Sequence, residues 1–262
     1  MNLKNKIKKQ LTIGTWITID HTVIYQTISE YPFDWVLIDL EHSAIDFSGL
    51  HQAISFFKKT NIACLVRPPI VDKIYIKRIM DFGADGIIIP NIKSVEDIKN
   101  AQSFMKYPPD GERGAGLFSA QRFGNDFERY YKESNSDTVL IAQVENKDAL
   151  NNISDIVHSR LIDGIMVGPY DLTSSMGIAG KFDDNNYLNE LEKIKVVASK
   201  NDIPLGIHVV DPDPHALKKA IDDGFKFIGY GLDFKFITSH LNELQELKKW
   251  NNEYLYLAEQ VF

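Results

Sequence analysis

Four polar clusters end apolar runs in this chain: Asp39-Leu40-Glu41-His42, Val66-Arg67-Pro68-Pro69, Gln143-Val144-Glu145 and Gly168-Pro169-Tyr170-Asp171. Each follows a β-type run and precedes a helical one. A histidine can move protons near neutral pH, an arginine can hold an oxyanion, and two spaced carboxylates can hold a hard divalent cation. These groups share one site only if the fold gathers the ends of their strands.

Each residue also has a plainer reading. Glu145 and Asp171 would equally be solvated or salt-bridged acids at loop starts, although buried carboxylates need a cation, an arginine or protons beside them. There is no HExxH and no Cys/His cluster, which disfavours zinc. Arg67 would equally be a structural partner of an acid. His42, flanked by Asp39 and Glu41, is the acid/base candidate. His208, ending the run Gly206-Ile207-His208, is either a substrate contact or a hydrogen-bonded structural histidine.

The elements that would position these residues are eight β-branched runs: 12–19, 34–40, 62–66, 86–90, 138–144, 162–167, 204–210 and 225–231. Most are continuously apolar, as strands covered on both faces are. Helical spacing fills the gaps, notably at 72–82, 94–105 and 188–200. Ser94 with Asp97 fits a helix N-terminus, and Gly83, Gly164 and Gly224 fall where C-cap glycines belong. The alternation predicts a single (β/α)8 barrel (a TIM barrel) over residues 1–262, whose strand C-termini form one catalytic face. A doubly wound sheet is the rival, but GxGxxG and GxxxxGK[ST] are both absent. The connection 106–137, rich in Gly, Pro, Arg and aromatics, is expected to be an active-site loop. From Asp233 onward a helical, aromatic tail (Trp250, Tyr254, Tyr256, Phe262) is expected to pack on this subunit or a neighbour.

Composition bounds the function. A net charge of −7 and a pI near 5.5 argue against nucleic acid as a partner. Cys64 is the single cysteine, so no internal disulfide forms. The basic segment 1–10 is not followed by an apolar stretch of signal length, and no run is long enough to span a bilayer. A cytoplasmic protein without a membrane partner is expected.

The segments FDWVLIDLEHS (33–43), LVRPP (65–69), IKRIMDFGADGIIIP (76–90), KYPPDGERGAG (106–116), IAQVEN (141–146) and IDGIMVGPYDLTSSMG (162–177) together resemble the HpcH/HpaI aldolase/citrate lyase family. The resemblance runs from about Gly14 to Gly231. Its members include class II, divalent-metal-dependent pyruvate aldolases for 2-keto-3-deoxy acids and 4-hydroxy-2-oxo acids. The resemblance implies Glu145 and Asp171 as ligands of Mg²⁺, Mn²⁺ or Co²⁺, Gln143 as a substrate contact, His42 as base and Arg67 as transition-state stabiliser. Peptide N–H groups around Tyr170 and Asp171 would hold the pyruvyl carboxylate. A 2-oxo-4-hydroxy acid would then be cleaved to pyruvate and an aldehyde through a metal-stabilised enolate, or formed in reverse.

Asp81 is implied to tune the histidine, yet it ends a helix just before the fourth strand, at the opposite end of a barrel. The expectation is therefore that it reaches a neighbouring subunit in a homo-oligomer, a trimer or hexamer; pairing with Arg78 or Lys77 is the plainer alternative. A Schiff-base route is disfavoured because no cluster contains lysine and Lys226 lies near a strand start. Tyr170, Asn91, His208 and the segment 117–124 depart from the family pattern, which points to a changed aldehyde partner. Two other functions remain: a CoA-thioester lyase using Arg113, Arg122 and Arg129, or a non-catalytic 2-oxo acid binding protein.

Overall fold

The computed structural model describes residues 2–242 together with 244, 247 and 248. Strands and helices alternate as β1 (Thr12–Ile17), α2 (Thr22–Ser29), β2 (Trp35–Asp39), α3 (Phe47–Phe57), β3 (Ala63–Arg67), α4 (Lys73–Phe82), β4 (Gly86–Ile89) and α5 (Val95–Met105). A 3₁₀ turn (Ser119–Gly124) and α6 (Phe127–Asp137) then precede β5 (Val139–Val144). Helices α7 (Lys147–Asn151) and α8 (Ile153–His158) lead to β6 (Gly164–Val167). Helices α9 (Pro169–Ser175) and α10 (Asn185–Lys200) lead to β7 (Leu205–Val209), and α11 (Pro214–Asp222) to β8 (Phe227–Leu232). Helix α1 (Leu3–Lys9) comes before the first strand, and residues 233–242 are helical.

All eight strands are parallel, pair in chain order, and close with β8 on β1, giving the (β/α)8 barrel. Their continuous apolar character follows from burial on both faces. One set of residues packs outward under the helices, as Val36, Ile38, Val66 and Ile87 do. The other fills the barrel, where Trp35 stacks on Phe227 at 4.4 Å among Leu37, Leu65, Ile88 and Ile141. Trp35 fits only because β1 carries a glycine there: a Cβ on Gly14 would lie 2.0 Å from its indole.

The basic N-terminal segment closes the N-terminal end of the barrel. Leu3 and Ile7 of α1 are buried against the interior residues, while Lys4 pairs with Asp163 at 3.2 Å and Lys6 pairs with Asp34. Asp34, Asp85 and Asp163, each just before an even-numbered strand, accept backbone N–H bonds from Ile13, Cys64 and Leu140 at 2.9, 2.8 and 3.0 Å. One short acid thus ties the start of each of β1, β3 and β5 to the following strand.

Two expected cap glycines are left-handed, Gly83 at φ 99° and Gly224 at φ 89°, and Ser94 and Asp97 cap α5 reciprocally. Gly164 is different. It lies inside β6, where a Cβ would meet Ile141 at 2.9 Å, and Arg160 (φ 56°) takes the left-handed position after α8. The connection 106–137 also departs from expectation. It joins a helix to a strand, so it crosses the N-terminal end of the barrel, where Ser119 donates to the Phe82 carbonyl at 2.9 Å. It does not border this chain's own cleft. Trp250, Tyr254, Tyr256 and Phe262 lie outside the described residues, and with them most of the tail expected to pack on a neighbour.

Candidate active site

At the C-terminal end of β3, Arg67 is buried and held in one orientation. Its Nε and Nη2 donate to the two carboxylate oxygens of Asp39, the last residue of β2, at 2.9 and 2.7 Å. Such a two-point pair fixes the guanidinium plane. Its Cζ lies 4.4 Å over the ring of Trp16, and the same indole stacks on His208 at 4.4 Å and 4°. Three side chains from β1, β3 and β7 are therefore in contact at the barrel mouth.

Glu41 reaches the same arginine, with Oε2 3.2 Å from Nε, but that N–H is spent on Asp39, so Oε2 is buried without a hydrogen bond. Burial raises the Glu41 pKa; Arg67 opposes this, and Asp39 and Asp171 add to it. His42 follows on the exposed rim, its Nε2 3.8 Å from Glu41 Oε2.

Glu145, one residue past β5, is buried. Its Oε1 accepts from the Asn91 backbone N–H and its Oε2 from Gln143 Nε2. Asn91 offers that N–H from a left-handed backbone, φ 48°. Burial pushes the Glu145 carboxyl up to about 7, against the pull of these two hydrogen bonds, and the charges of Glu41 and Asp171 push the same way. Gly168 makes the room: a Cβ there would lie 3.0 Å from Glu145 Oε2 and 3.3 Å from Gln143 Nε2. Gln143 Oε1 is buried with no partner. Gly168 also caps α9, whose first turn carries Pro169, the exposed Tyr170 and the exposed Asp171. Tyr170 meets Phe182 edge-on at 4.9 Å.

A cleft of about 220 Å³ brings His42, Arg67, Gln143, Tyr170, Asp171 and His208 together. No lysine lines it. Glu145 does not itself line the cleft; it is joined to it by its hydrogen bond with Gln143. Oxygen donors with surplus negative charge, orphaned acceptors and a glycine cradle fit a hard divalent cation. Among the described residues no group of three or more His, Cys, Asp or Glu side chains is placed to hold a metal ion, so the protein's carboxylate share of any such site is small.

Asp81 is not in this cleft. It ends α4 at the other end of the barrel, where its Oδ1 accepts from Arg113 Nε and Nη2 at 3.2 and 2.7 Å. Its partner is thus Arg113 rather than Arg78 or Lys77; Arg78 lies over Phe47 instead, at 3.8 Å. Arg113 is fully buried in this pair, and Arg129 pairs with Asp126 and with Glu133 at 2.8 Å. Two of the three cations considered for a nucleotide are therefore committed within the fold.

Three supporting groups escape a motif-level reading. Asn91 orients Glu145 through its backbone, and the one signal for it is an Asn, a residue that tolerates left-handed backbone, directly after Pro90. Trp16 forms the shelf under Arg67, which no local pattern marks. Asp233, just after β8, accepts from Thr18 N, Thr18 Oγ1 and Ile19 N, each at 2.7 Å, and so holds the end of β1.

The model of the HpcH/HpaI aldolase/citrate lyase family matches residues 12–239. A hydroxypyruvate/pyruvate aldolase of Roseobacter denitrificans is 26% identical over 241 residues, covering 90% of this chain and 93% of that protein. A 5-keto-4-deoxy-D-glucarate aldolase of Escherichia coli is 27% identical over 241 residues, covering 92% and 93%. The crystal structure of an HpcH/HpaI aldolase from Desulfitobacterium hafniense superposes with a TM-score of 0.86 at 25% identity, covering 95% of this chain and 97% of that one. With a barrel of this topology and a match over most of its length, the chain belongs to the HpcH/HpaI aldolase/citrate lyase family.

Proposed function

We propose that this chain, one barrel domain over residues 1–262, is a class II pyruvate aldolase, a carbon–carbon lyase that cleaves or forms a 2-oxo-4-hydroxy acid. The observation that carries the reading is the pairing of two unlike groups at one barrel mouth: the Arg67 guanidinium locked by Asp39, and the buried, cation-seeking Gln143–Glu145 pair. The curated relatives with aldolase names support the same reading.

Glu145 and Asp171 would hold Mg²⁺, Mn²⁺ or Co²⁺, with water and substrate completing the shell. The cation, when bound, supplies positive charge that stabilises an enolate. Gln143, with its free Oε1 in the floor, would position the 2-oxo acid. The N–H groups at the start of α9 would face the pyruvyl carboxylate. Arg67, unable to turn away, would donate to the oxyanion that develops as the C3–C4 bond breaks. His42, exposed on the rim, would take the proton of the C4 hydroxyl and return it in the addition direction.

Asp81 would act on the His42 of a second copy in a trimer or hexamer. Its Oδ1 is bound by Arg113, and among the described residues its Oδ2 takes no hydrogen bond. An Asp81→Asn variant with an unchanged pH–rate profile and unchanged oligomeric state would rule this out. No helix among the described residues is long and apolar enough to cross a membrane; an acidic chain with one buried thiol, Cys64, suits a cytoplasmic setting.

The test is NMR-monitored exchange of pyruvate methyl protons in D₂O with Mn²⁺ or Mg²⁺, against an EDTA control. Cation-dependent exchange is expected, and it needs no knowledge of the aldehyde. Folded protein that exchanges nothing with either cation would overturn the assignment.

A further inference from the structure

His208 stands in the wall of the cleft, and neither the cation site nor the proton transfers use it. Its ring is fixed on three sides. One face stacks on Trp16 at 4.4 Å, nearly parallel. Its Nε2 lies 3.1 Å from the Gly231 carbonyl oxygen. Its Cδ2 edge is turned toward β8, where it lies 3.1 Å from the position a Cβ on Gly229 would take. Gly229 is thus one reason the ring fits.

The tautomer follows from chemistry. A carbonyl oxygen can only accept, so the bond to Gly231 requires a proton on Nε2. Gly231, next to the last residue of β8, is left-handed at φ 64° where the β1–β8 register shifts, and its carbonyl also accepts from Thr15 Oγ1 at 3.3 Å. With Nε2–H committed, Nδ1 of the neutral ring carries a lone pair and no proton. Burial, helped by the nearby Arg67 charge, holds the imidazole pKa down to about 4, so the neutral form prevails at neutral pH. Nδ1 is on the ring edge opposite Cδ2, away from β8, and among the described residues it has no hydrogen-bond partner. It belongs to a side chain that borders the cleft beside Pro169 and Tyr170.

We infer that His208 is a specificity-determining residue: its unprotonated Nδ1 accepts a hydrogen bond from a hydroxyl on the aldehyde partner, so the enzyme favours hydroxyaldehydes over alkyl aldehydes of the same size. The inference rests on the aldolase reading and deepens it. A fixed acceptor matters here because an alkyl analogue leaves that nitrogen dehydrated and unpaired.

The test pairs glycolaldehyde with propionaldehyde, which differ by a hydroxyl in place of a methyl, as acceptors in pyruvate addition. The wild type should favour glycolaldehyde in kcat/KM by about tenfold, the usual worth of one neutral hydrogen bond. In His208→Phe, which keeps an aromatic face for Trp16, that ratio should fall toward one. Equal use of both aldehydes by the wild type, or an unchanged ratio in the variant, would overturn the inference. A second readout needs no turnover. The imidazole ¹⁵N resonances missing from His208→Phe should show a protonated Nε2 and an unprotonated Nδ1 at pH 7, and the Nδ1 resonance should move with glycolaldehyde but not with propionaldehyde. A protonated Nδ1, or no selective shift, would overturn it. Absence of cation-dependent pyruvate exchange would instead remove the aldolase reading, and the nitrogen spectrum would still decide what His208 binds.

Discussion

At the N-terminal end of the barrel, Asp34, Asp85 and Asp163 each receive a backbone N–H and a lysine lies against each, while Asp81 is locked to Arg113. At the C-terminal end, Glu41 Oε2 and Gln143 Oε1 are buried without partners and Glu145 is pushed up to about 7. Both ends are built from similar residue types on the same strands. The acids at one end are satisfied by their own chain, and those at the other are short of positive charge. Unpartnered buried polar atoms occur at both ends, Trp35 Nε1 and Ser134 Oγ at the N-terminal one, but an unpaired carboxylate oxygen costs most, so Glu41 Oε2 beside the raised Glu145 marks the place where something else completes the structure.

The sharpest way to break this contrast is Glu145→Gln. Pyruvate exchange should fall by at least about a hundredfold, and the rise in Tm that Mn²⁺ gives the wild type should vanish. The metal-free Tm should not fall, because the amide keeps the size and removes a charge held at cost. A clear loss of metal-free stability would place Glu145 with the structural acids instead. Next in size, Arg67→Lys keeps the charge but cannot make the two-point bond to Asp39. It should lower exchange by about a hundredfold, with a smaller change in the pyruvate dissociation constant.

At the satisfied end the effect should fall on stability alone. Asp34→Ala leaves the Ile13 N–H and Lys6 without their partner and should cost about 1–3 kcal/mol in denaturant unfolding. Exchange per folded molecule should stay at the wild-type level; a large loss would show that the two ends are coupled.

The smallest expected effect is on pH dependence. The folded-state pKa of His208 is depressed to about 4 from its ordinary 6.5, so the unfolded chain binds more protons between those values. Stability from this group is whole above about pH 6.5 and is lost as pH falls toward 4. Relative to His208→Phe, the wild type should lose about 1–2 kcal/mol between pH 7.5 and pH 5. Parallel pH profiles for the two proteins would show that the ring is wet enough to protonate freely in the folded state.

Much of this was legible in the residues. Strands buried on both faces must be apolar throughout, so the eight runs and their order stood out, and the polar clusters ending four of them marked the mouth. Gly83 and Gly224 were legible because only glycine turns left-handed cheaply at a helix end. Gly164 misled because its role is set by Ile141 across the sheet, while Arg160 makes the turn. The connection 106–137 was legible in principle, since a segment between a helix and a strand belongs at the N-terminal end. Its composition pointed the other way.

The sequence by itself determined the barrel, the set of chemical groups at its mouth and the family. These depend on burial periodicity and on residue types at strand ends, which are local properties. Only the tertiary structure decided that Arg67 is pinned between Asp39 and Trp16, that a backbone N–H of Asn91 orients Glu145, that Asp81 spends one oxygen on Arg113, and that the Nε2 proton of His208 is committed to Gly231. Those are contacts between residues on different elements, and their geometry follows from barrel closure and the room left by glycines rather than from spacing along the chain.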